Sequence, residues 1–476
     1  MKILFAASEA APFIKTGGLG DVAQALPQEL AKNKDVNVAV FIPYYKRIKN
    51  NPEIEVEFIK CFSTKLAWRQ EYVGVFKLKS ASKKLSIYFI DNEYYFYRDS
   101  VYGDYDDGER YTYFSMAVLE SIREIGFYPD IIHCNDWQTA LIPSLKKLKF
   151  GGRSEYDRIK TVFTIHNIEY QGKMPPEFMT NVIGLGEEHR GLMTYDGCVN
   201  FMKSAIVSAD KITTVSETYA HEIRYSYFAK GLESIIGENA YKLEGIVNGI
   251  NTKLYDPKTD ASIAANYSAA DISGKAEDKA DLQRTLGLPV RPDVPVIAMI
   301  SRLVAHKGLD LVEYVMGEIM NRDLQFVVIG TGDYKYEDMF RFNAYLHSDK
   351  MSANIVFDPV LANKLYAGAD IFLMPSKSEP CGLSQLIAMR YGTVPIVRET
   401  GGLWDTVPPL NIETLEGRGF TFKGYNAHDM LGAIDRCTEF YRNKEKWNKH
   451  IKNLIKYNSS WKESAKKYIR IYSELI

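Results

Sequence analysis

A chain of 476 residues, 46% hydrophobic and 25% charged, has the make-up of an ordinary globular protein and the length for two or three domains. Its formal net charge of -1 argues against a polyanion-steered nucleic-acid binder, whose footprint is a basic surplus, so no nucleic-acid partner is expected. The five cysteines (Cys61, Cys134, Cys198, Cys381, Cys437) are scattered, odd in number and form no Cys-x-x-Cys pair, so neither a zinc cluster nor a disulfide framework is suggested and reduced thiols are expected. Ile3 to Ala7 is too short for the apolar region of a secretory signal, and Ser8-Glu9 breaks it. No apolar run approaches the ~18 residues of a bilayer span, so a cytoplasmic protein with no membrane partner is expected. The 32 tyrosines offer faces that suit sugar rings, though tyrosine also fills cores.

In chain order, Ile3 to Ala7 has the length and bounds of a buried strand. Lys15-Thr-Gly-Gly-Leu-Gly-Asp21 follows, and a helical pattern then runs to about Ala31. Strand, glycine turn and helix start make a natural anion site: Gly17 and Gly18 allow close approach, the first helical N–H groups are unpaired, and Lys15 adds a full charge. A tight turn with a solvated lysine has the same pattern. The spacing is neither Gly-x-Gly-x-x-Gly nor a P-loop. Further strands are predicted at Val36–Ile42 and Leu85–Ile90, with a polar, antiparallel region around 53–79 between them. A helix is predicted over Glu109–Ile125. Asp130–Cys134 reads as a strand, followed by Asn135-Asp136-Trp137 and a helix through Lys147. Ile159–Ile165 is the next strand, ending at His166-Asn167, and Lys211–Val215 another, with Ser216-Glu217 as a helix cap.

Asn248-Gly-Ile-Asn251 is a turn signal, and the Ala-, Ser- and Asp-rich stretch Lys258–Lys279 reads as a surface connection. A second series follows, with strands at Val296–Ile300, Leu324–Ile329, Ile355–Phe357, Ile371–Met374 and Val394–Val397. Alternation of this kind implies an α/β protein with two units of mostly parallel sheet, divided near residues 248–258. No repeat of solenoid length is present.

Ligands of open α/β sheets sit at the carboxyl ends of strands, where Lys15, Asp136, His166, Arg302, Glu379 and Thr400 all fall. In two facing sheets such positions would line one cleft. Arg302 and Lys307, five residues apart at a strand end, suit a diphosphate, as a planar fork and a mobile point charge; a solvated basic loop has the same composition. Glu379 stands just outside a helix start, where a carboxylate can orient sugar hydroxyls while amides take phosphate oxygens. Thr400-Gly401-Gly402 repeats the glycine-turn logic one βα unit later. His166 and His133, taken alone, read as core histidines. No Ser-His-Asp order or metal-ligand cluster stands out, so no metal is expected. Paired carboxylates of a glycosidase stay open on spacing alone.

Taken together, these segments resemble the bacterial glycogen synthase/starch synthase family of glycosyltransferases. The matching text is Lys15-Thr-Gly-Gly-Leu-Gly-Asp21, Asn135-Asp136-Trp137, Thr164-Ile-His-Asn167, Val247-Asn-Gly-Ile250, Ser301-Arg-Leu303, Lys307-Gly-Leu-Asp310, Glu379-Pro-Cys-Gly-Leu383, Met389-Arg-Tyr-Gly-Thr393 and Thr400-Gly-Gly-Leu403. The order runs from the first residues to the tail at Ser459-Ser460-Trp461. The resemblance implies two Rossmann-like domains facing a deep cleft (the GT-B type). Residues 1–250 would be the acceptor side, joined by a final helix over about 459–476, and residues 251–458 would bind the nucleotide sugar. It implies retaining transfer of glucose from ADP-glucose to the non-reducing end of an α-1,4-glucan such as glycogen or starch, with ADP as product and no cofactor or metal.

Carried over by position, Lys15, Gly17, Gly18 and Asp21 would bind the nucleotide sugar. Arg302 and Lys307 would neutralise the leaving diphosphate. Glu379, with the amides of Cys381 and Gly382, would hold the donor glucose and phosphate, with Leu383, Thr400 and Gly401 beside them. His166 would lie against the sugar where positive character develops, and Asp136, Asn167, Tyr102 and Asn248 would orient hydroxyls. A front-face mechanism is favoured, in which the leaving phosphate helps to deprotonate the acceptor. The chain departs from the family pattern at Trp404, Asn251 and Ala305-His306, none of which carries assigned chemistry. Competing readings are a transferase using a UDP-sugar and a small acceptor, and a non-catalytic glucan-binding protein. A dinucleotide oxidoreductase is disfavoured because no Gly-x-Gly-x-x-Gly follows either first strand.

Overall fold

Short apolar and β-branched runs, each followed by a helix, build two compact α/β units. A computed structural model of the chain describes residues 1–80 and 82–476. Unit one is Met1–Asn248 together with Trp461–Ile476, and unit two is Gly249–Ser460.

The strands of unit one are β1 (Lys2–Ala6), β2 (Asn37–Pro43), β3 (Val56–Leu66), β4 (Arg69–Leu78), β5 (Leu85–Asp91), β6 (Ile131–Asn135), β7 (Lys160–Ile165), β8 (Lys173–Met174), β9 (Thr194–Tyr195), β10 (Cys198–Asn200), β11 (Lys211–Thr214) and β12 (Leu243–Gly245). Nine of them form one sheet in the order β12-β11-β7-β6-β1-β2-β5-β4-β3. Neighbours from β12 to β5 are parallel, and β4 and β3 add an antiparallel hairpin at one edge. The three short strands β8, β9 and β10 make a separate antiparallel sheet. Parallel strands covered on both faces read as continuous apolar runs, and Ile3, Leu4, Phe5 and Ala6 are indeed fully buried.

Unit two holds β13 (Val296–Ile300), β14 (Gln325–Ile329), β15 (Met351–Asn354), β16 (Ile371–Met374), β17 (Val394–Arg398) and β18 (Phe420–Phe422). They form an all-parallel sheet in the order β15-β14-β13-β16-β17-β18. In both sheets the chain reverses its direction of winding at the first strand, between β1 and β6 in unit one and between β13 and β16 in unit two. Such a reversal leaves a crevice at the carboxyl ends of the two strands.

The last helix, Trp461–Leu475, belongs to unit one. Tyr472 Oη lies 2.7 Å from His133 Nδ1, and His133 Nε2 lies 2.6 Å from Thr164 Oγ1. Ser464 Oγ donates to the Val247 carbonyl at 2.6 Å, and Lys467 pairs with Glu217. His133 is therefore a satisfied core histidine whose pKa burial lowers to about 3. No helix among the described residues is long and apolar enough to cross a membrane.

Two expectations are corrected. The strand expected at Ile355–Phe357 ends instead at Asn354. Asp358 caps the helix Pro359–Gly368 by accepting from the amides of Val360 and Leu361, which draws 355–357 into a turn that exposes Phe357. The stretch Lys258–Lys279 is not wholly a surface connection, because Gly274–Thr285 is a helix that buries Lys275 and Lys279. Lys275 Nζ donates to the carbonyls of Ala367, Ala369 and Tyr391 and to Thr393 Oγ1 at 2.8–3.1 Å. Burial lowers its pKa to about 8. Lys279 pairs with Asp370 at 2.8 Å. β12 and β18 are three-residue strands that no period-2 or apolar run announces.

Lys275→Met removes the donor and strands the buried Ala367 carbonyl, while the Tyr391 carbonyl keeps the Tyr267 hydroxyl and the Ala369 carbonyl keeps the Thr393 hydroxyl. Urea denaturation should show a loss of about 1–3 kcal/mol, the cost of one orphaned buried group. A loss below 1 kcal/mol would contradict the clamp.

Candidate active site

Each sheet brings its own group of polar side chains to the carboxyl ends flanking its winding reversal. In unit one, β1 ends at Ala6 and the chain turns through Ser8 and Glu9 to the glycine turn and the helix Gly18–Leu30. That helix start is not open. The Glu9 carboxylate, 1% exposed, accepts from the Thr16 amide and hydroxyl and from the Gly20 amide at 2.6–3.0 Å. Burial raises its pKa against the pull of these bonds. Glu9 thus engages two of the amides around this helix start. Lys15 Nζ meets Asp21 Oδ1 at 2.7 Å.

Glu9 is the residue that sequence reasoning missed. A charged residue closing an apolar run, eight positions before the first glycine of the turn, was the available signal. Beside it, Tyr102 Oη lies 2.7 Å from Ser8 Oγ. Burial raises the pKa of Tyr102, and the Glu9 and Asp136 charges add to the shift.

At the end of β6, Asp136 adopts φ 55°, a left-handed backbone that costs a non-glycine residue free energy. The conformation turns its carboxylate onto the next strand end, where Oδ1 accepts from the amides of His166 at 2.7 Å and Asn167 at 3.3 Å. Burial raises the Asp136 pKa to about 7, the two amides oppose the rise, and the Glu9 charge adds to it. Asn135 Nδ2 donates to the Ala6 carbonyl at 3.0 Å, which leaves its Oδ1 to accept from His166 Nε2–H at 2.9 Å. Burial lowers the His166 pKa to about 3, so the ring is neutral across the physiological range. Unit one therefore brings together the Lys15 turn, Tyr102, Asp136, His166 and Asn167. Asn248 stands apart from them in the bonding. It is 6% exposed, and its Oδ1 is buried without a hydrogen-bond partner.

In unit two, the loop after β13 carries Arg302 and Lys307, and the loop after β16 carries Ser376 and Glu379. Lys307 Nζ lies 2.6 Å from Glu379 Oε2, with side chains 17% and 10% exposed, and Ser376 Oγ donates to the same oxygen at 3.0 Å. Close packing makes this contact possible. Gly308 has φ +74° and a Cβ there would stand 2.0 Å from the Pro375 carbonyl oxygen. The Thr400 turn closes the other side: the Gly402 amide donates to the Glu379 carbonyl at 3.1 Å, and a Cβ on Gly402 would meet the Cys381 carbonyl oxygen at 2.3 Å. Lys307, Glu379, Cys381, Gly382, Leu383, Thr400 and Gly401 thus form one packed group. Arg302 stands exposed at the β13 end, its side chain outside that bonding. Among the described residues no His, Cys, Asp and Glu cluster could hold a metal ion.

Two family models match the chain, the starch synthase catalytic domain over residues 2–238 and glycosyl transferases group 1 over residues 287–457. The glycogen synthase of Bacillus cereus (strain B4264) is 48% identical over 478 residues, covering 100% of both chains. The chain belongs to the glycogen and starch synthase family. A second member, the glycogen synthase of Clostridioides difficile (strain 630), is 46% identical over 481 residues and the whole of both chains. Among solved structures, the catalytic domain of starch synthase IV from Arabidopsis thaliana, bound to ADP and acarbose, superposes with a TM-score of 0.91 at 31% identity, over 100% of this chain and 99% of that one. Sucrose-phosphate synthase from Thermosynechococcus elongatus shares the fold at TM-score 0.61 and 18% identity, over 100% and 98% of the two chains. The protein is a glycosyltransferase of the GT-B class, and glucosyl transfer in glycogen synthesis is the activity its family carries.

The Asp136 environment has a measurable signature. A carboxyl raised from 3.8 to about 7 favours the folded state only while protonated, so its contribution is full below pH 3.8 and is lost as pH rises through 7. Asp136→Asn keeps an acceptor for both amides without the charge. It should stabilise the protein at pH 8 by about 1–3 kcal/mol, allowing for partial exposure, and the gain should vanish near pH 4 in thermal unfolding. A gain independent of pH would contradict the assignment.

Proposed function

We propose that the chain is a retaining glucosyltransferase that moves glucose from ADP-glucose to the non-reducing 4-hydroxyl of an α-1,4-glucan and releases ADP. Unit one takes the acceptor and unit two the nucleotide sugar, which is a substrate, so that no cofactor or metal is needed. Full-length relatives named glycogen synthase, and the ADP and acarbose held by the Arabidopsis starch synthase, support donor and acceptor. The observation that carries the reading is the charge arrangement at β13 and β16. Lys307 is paired with Glu379, and the exposed Arg302 adds a second cation on the same loop after β13, so cations outnumber that carboxylate where a diphosphate would depart.

In the reaction the bond from glucose C1 to the diphosphate oxygen breaks, and its electron pair leaves with the phosphate. Arg302 and Lys307 neutralise that developing charge. Positive character builds at C1, and His166, held neutral, does not oppose it. The acceptor 4-oxygen forms the new C1–O bond on the face that the phosphate leaves, and its proton passes to a phosphate oxygen. Glu379 holds donor hydroxyls alongside the Cys381 and Gly382 amides, with Leu383, Thr400 and Gly401 closing the pocket around the phosphate. Lys15 exchanges Asp21 for the nucleotide sugar, and Gly17 and Gly18 keep that turn slim enough for the approach. Asp136 sets the His166–Asn167 turn. Asn167, Tyr102 and Asn248 bind hydroxyls, and the orphaned Asn248 acceptor gains a donor in the complex.

Lys307→Met and Glu379→Gln should each lower kcat for labelled-glucose transfer to glycogen by at least about 100-fold, the scale for losing one transition-state contact. Lys15→Ala should act mainly through the KM for the donor. Near-parental turnover in both unit-two variants would refute the site.

A further inference from the structure

Gln385 is the second residue of the helix Ser384–Arg390, immediately after the loop that carries Glu379, Cys381 and Gly382. It is fully buried, although a position of that kind usually takes an apolar side chain. Its Nε2 lies 2.9 Å from the Gly382 carbonyl oxygen, 3.0 Å from that of Cys381 and 3.0 Å from Thr406 Oγ1. Carbonyls only accept, and the Thr406 hydroxyl gives its hydrogen to the Gly402 carbonyl at 2.6 Å. All three neighbours therefore need a donor, which turns the amide nitrogen toward them. The other end is left unsatisfied, for Gln385 Oε1 is buried without a hydrogen-bond partner. Folded interiors seldom leave such an acceptor, so this side chain is kept for where its donor points. A glutamate of the same size would face three acceptors with a carboxylate.

The consequence for the loop follows from peptide geometry. A trans peptide is planar, with its C=O and N–H pointing in opposite directions. A carbonyl held on one side therefore aims the next residue's amide to the other. Three successive peptides are held in this way. The Pro380 carbonyl accepts from the Gly402 amide at 3.2 Å, and the Cys381 and Gly382 carbonyls accept from Gln385. The amides of Cys381, Gly382 and Leu383 are thereby turned to the side opposite Gln385 and Gly402. Thr406 carries the same tie to the Thr400 turn. It ends the helix Gly401–Thr406, is 1% exposed, and its hydroxyl returns to Gly402, whose amide also donates to the Glu379 carbonyl. One buried side chain thus joins the two turns that the donor reading sets around the phosphate.

We propose that Gln385 is a positioning residue for the nucleotide sugar, which it serves by aiming the Gly382 and Leu383 amides at the donor phosphate. The proposal rests on the donor reading above. The test uses the full chain with Gln385→Met, which keeps the size and removes the donor, and with Thr406→Val, which cuts the tie to Gly402 and leaves both carbonyl bonds. ADP binding is measured by titration calorimetry, and initial rates are taken with ADP-glucose and glycogen varied in turn, below the unfolding transition of every variant. Gln385→Met should raise the Kd for ADP and the KM for ADP-glucose by at least about tenfold, the scale of losing one hydrogen bond to a charged group, and leave the KM for glycogen unchanged. Thr406→Val should move the same two constants by about threefold, as for one neutral hydrogen bond. A tie that is only structural would lower the Tm and leave ADP affinity at the parental value, which would overturn the proposal. So would equal rises in the KM for donor and for glycogen. Should Gln385→Met fail to fold, Thr406→Val decides by the same two criteria. A parent that binds no ADP would refute the donor reading and this one with it, whereas parental affinity in both variants of an ADP-binding parent would refute this one alone.

Discussion

Lys307 and Glu379, 72 positions apart in the chain, are held 2.6 Å from each other with little water around either. A pair of this kind costs desolvation and is retained only where the geometry is good or the charges have work to do. The architecture of unit two is arranged so that it forms. β13 and β16 are neighbours only because the sheet winds outward in both directions from β13, which puts their carboxyl ends and the two loops side by side. Gly308 and Gly402 then let those loops pack backbone to backbone at distances that no side chain would permit. The contact keeps a cation poised at a strand end without burying it unpaired, and the exposed Arg302 adds a second cation to the same loop.

Unit one solves a related problem with the signs reversed. Its switch point gathers carboxylates, Glu9 and Asp136, and each is spent on backbone amides: Glu9 on the helix start behind the glycine turn, Asp136 on the strand end that carries His166. Burial raises both pKa values, and the Glu9 charge adds to the rise at Asp136. The left-handed backbone at Asp136 is the strain accepted for reaching across to the next strand. The product is a neutral histidine in fixed orientation.

Much of this was legible before any coordinates. Buried parallel strands announce themselves as apolar runs, so β1, β6, β7, β13, β16 and β17 stand where the pattern put them, within a residue or so at each end. The site positions followed from being at strand ends. Other features depend on partners distant in sequence. Glu9 looked like a break in an apolar run until its amides came round from residues 16 and 20. Lys275 and Lys279 looked like solvent-facing charges because the Ala369 and Tyr391 carbonyls and the Asp370 carboxylate that hold them lie about 90 or more residues on, just before β16 and β17 begin. The misplaced strand at 355–357 had the right composition, but a capping aspartate downstream drew it into a turn.

The most direct measurement is nucleoside diphosphate release from ADP-glucose and from UDP-glucose by the full chain, each with and without glycogen. Release of ADP from ADP-glucose that requires glycogen, well above release from UDP-glucose, is the expected result. Release from UDP-glucose alone, or from neither sugar with glycogen present, would contradict the assigned reaction.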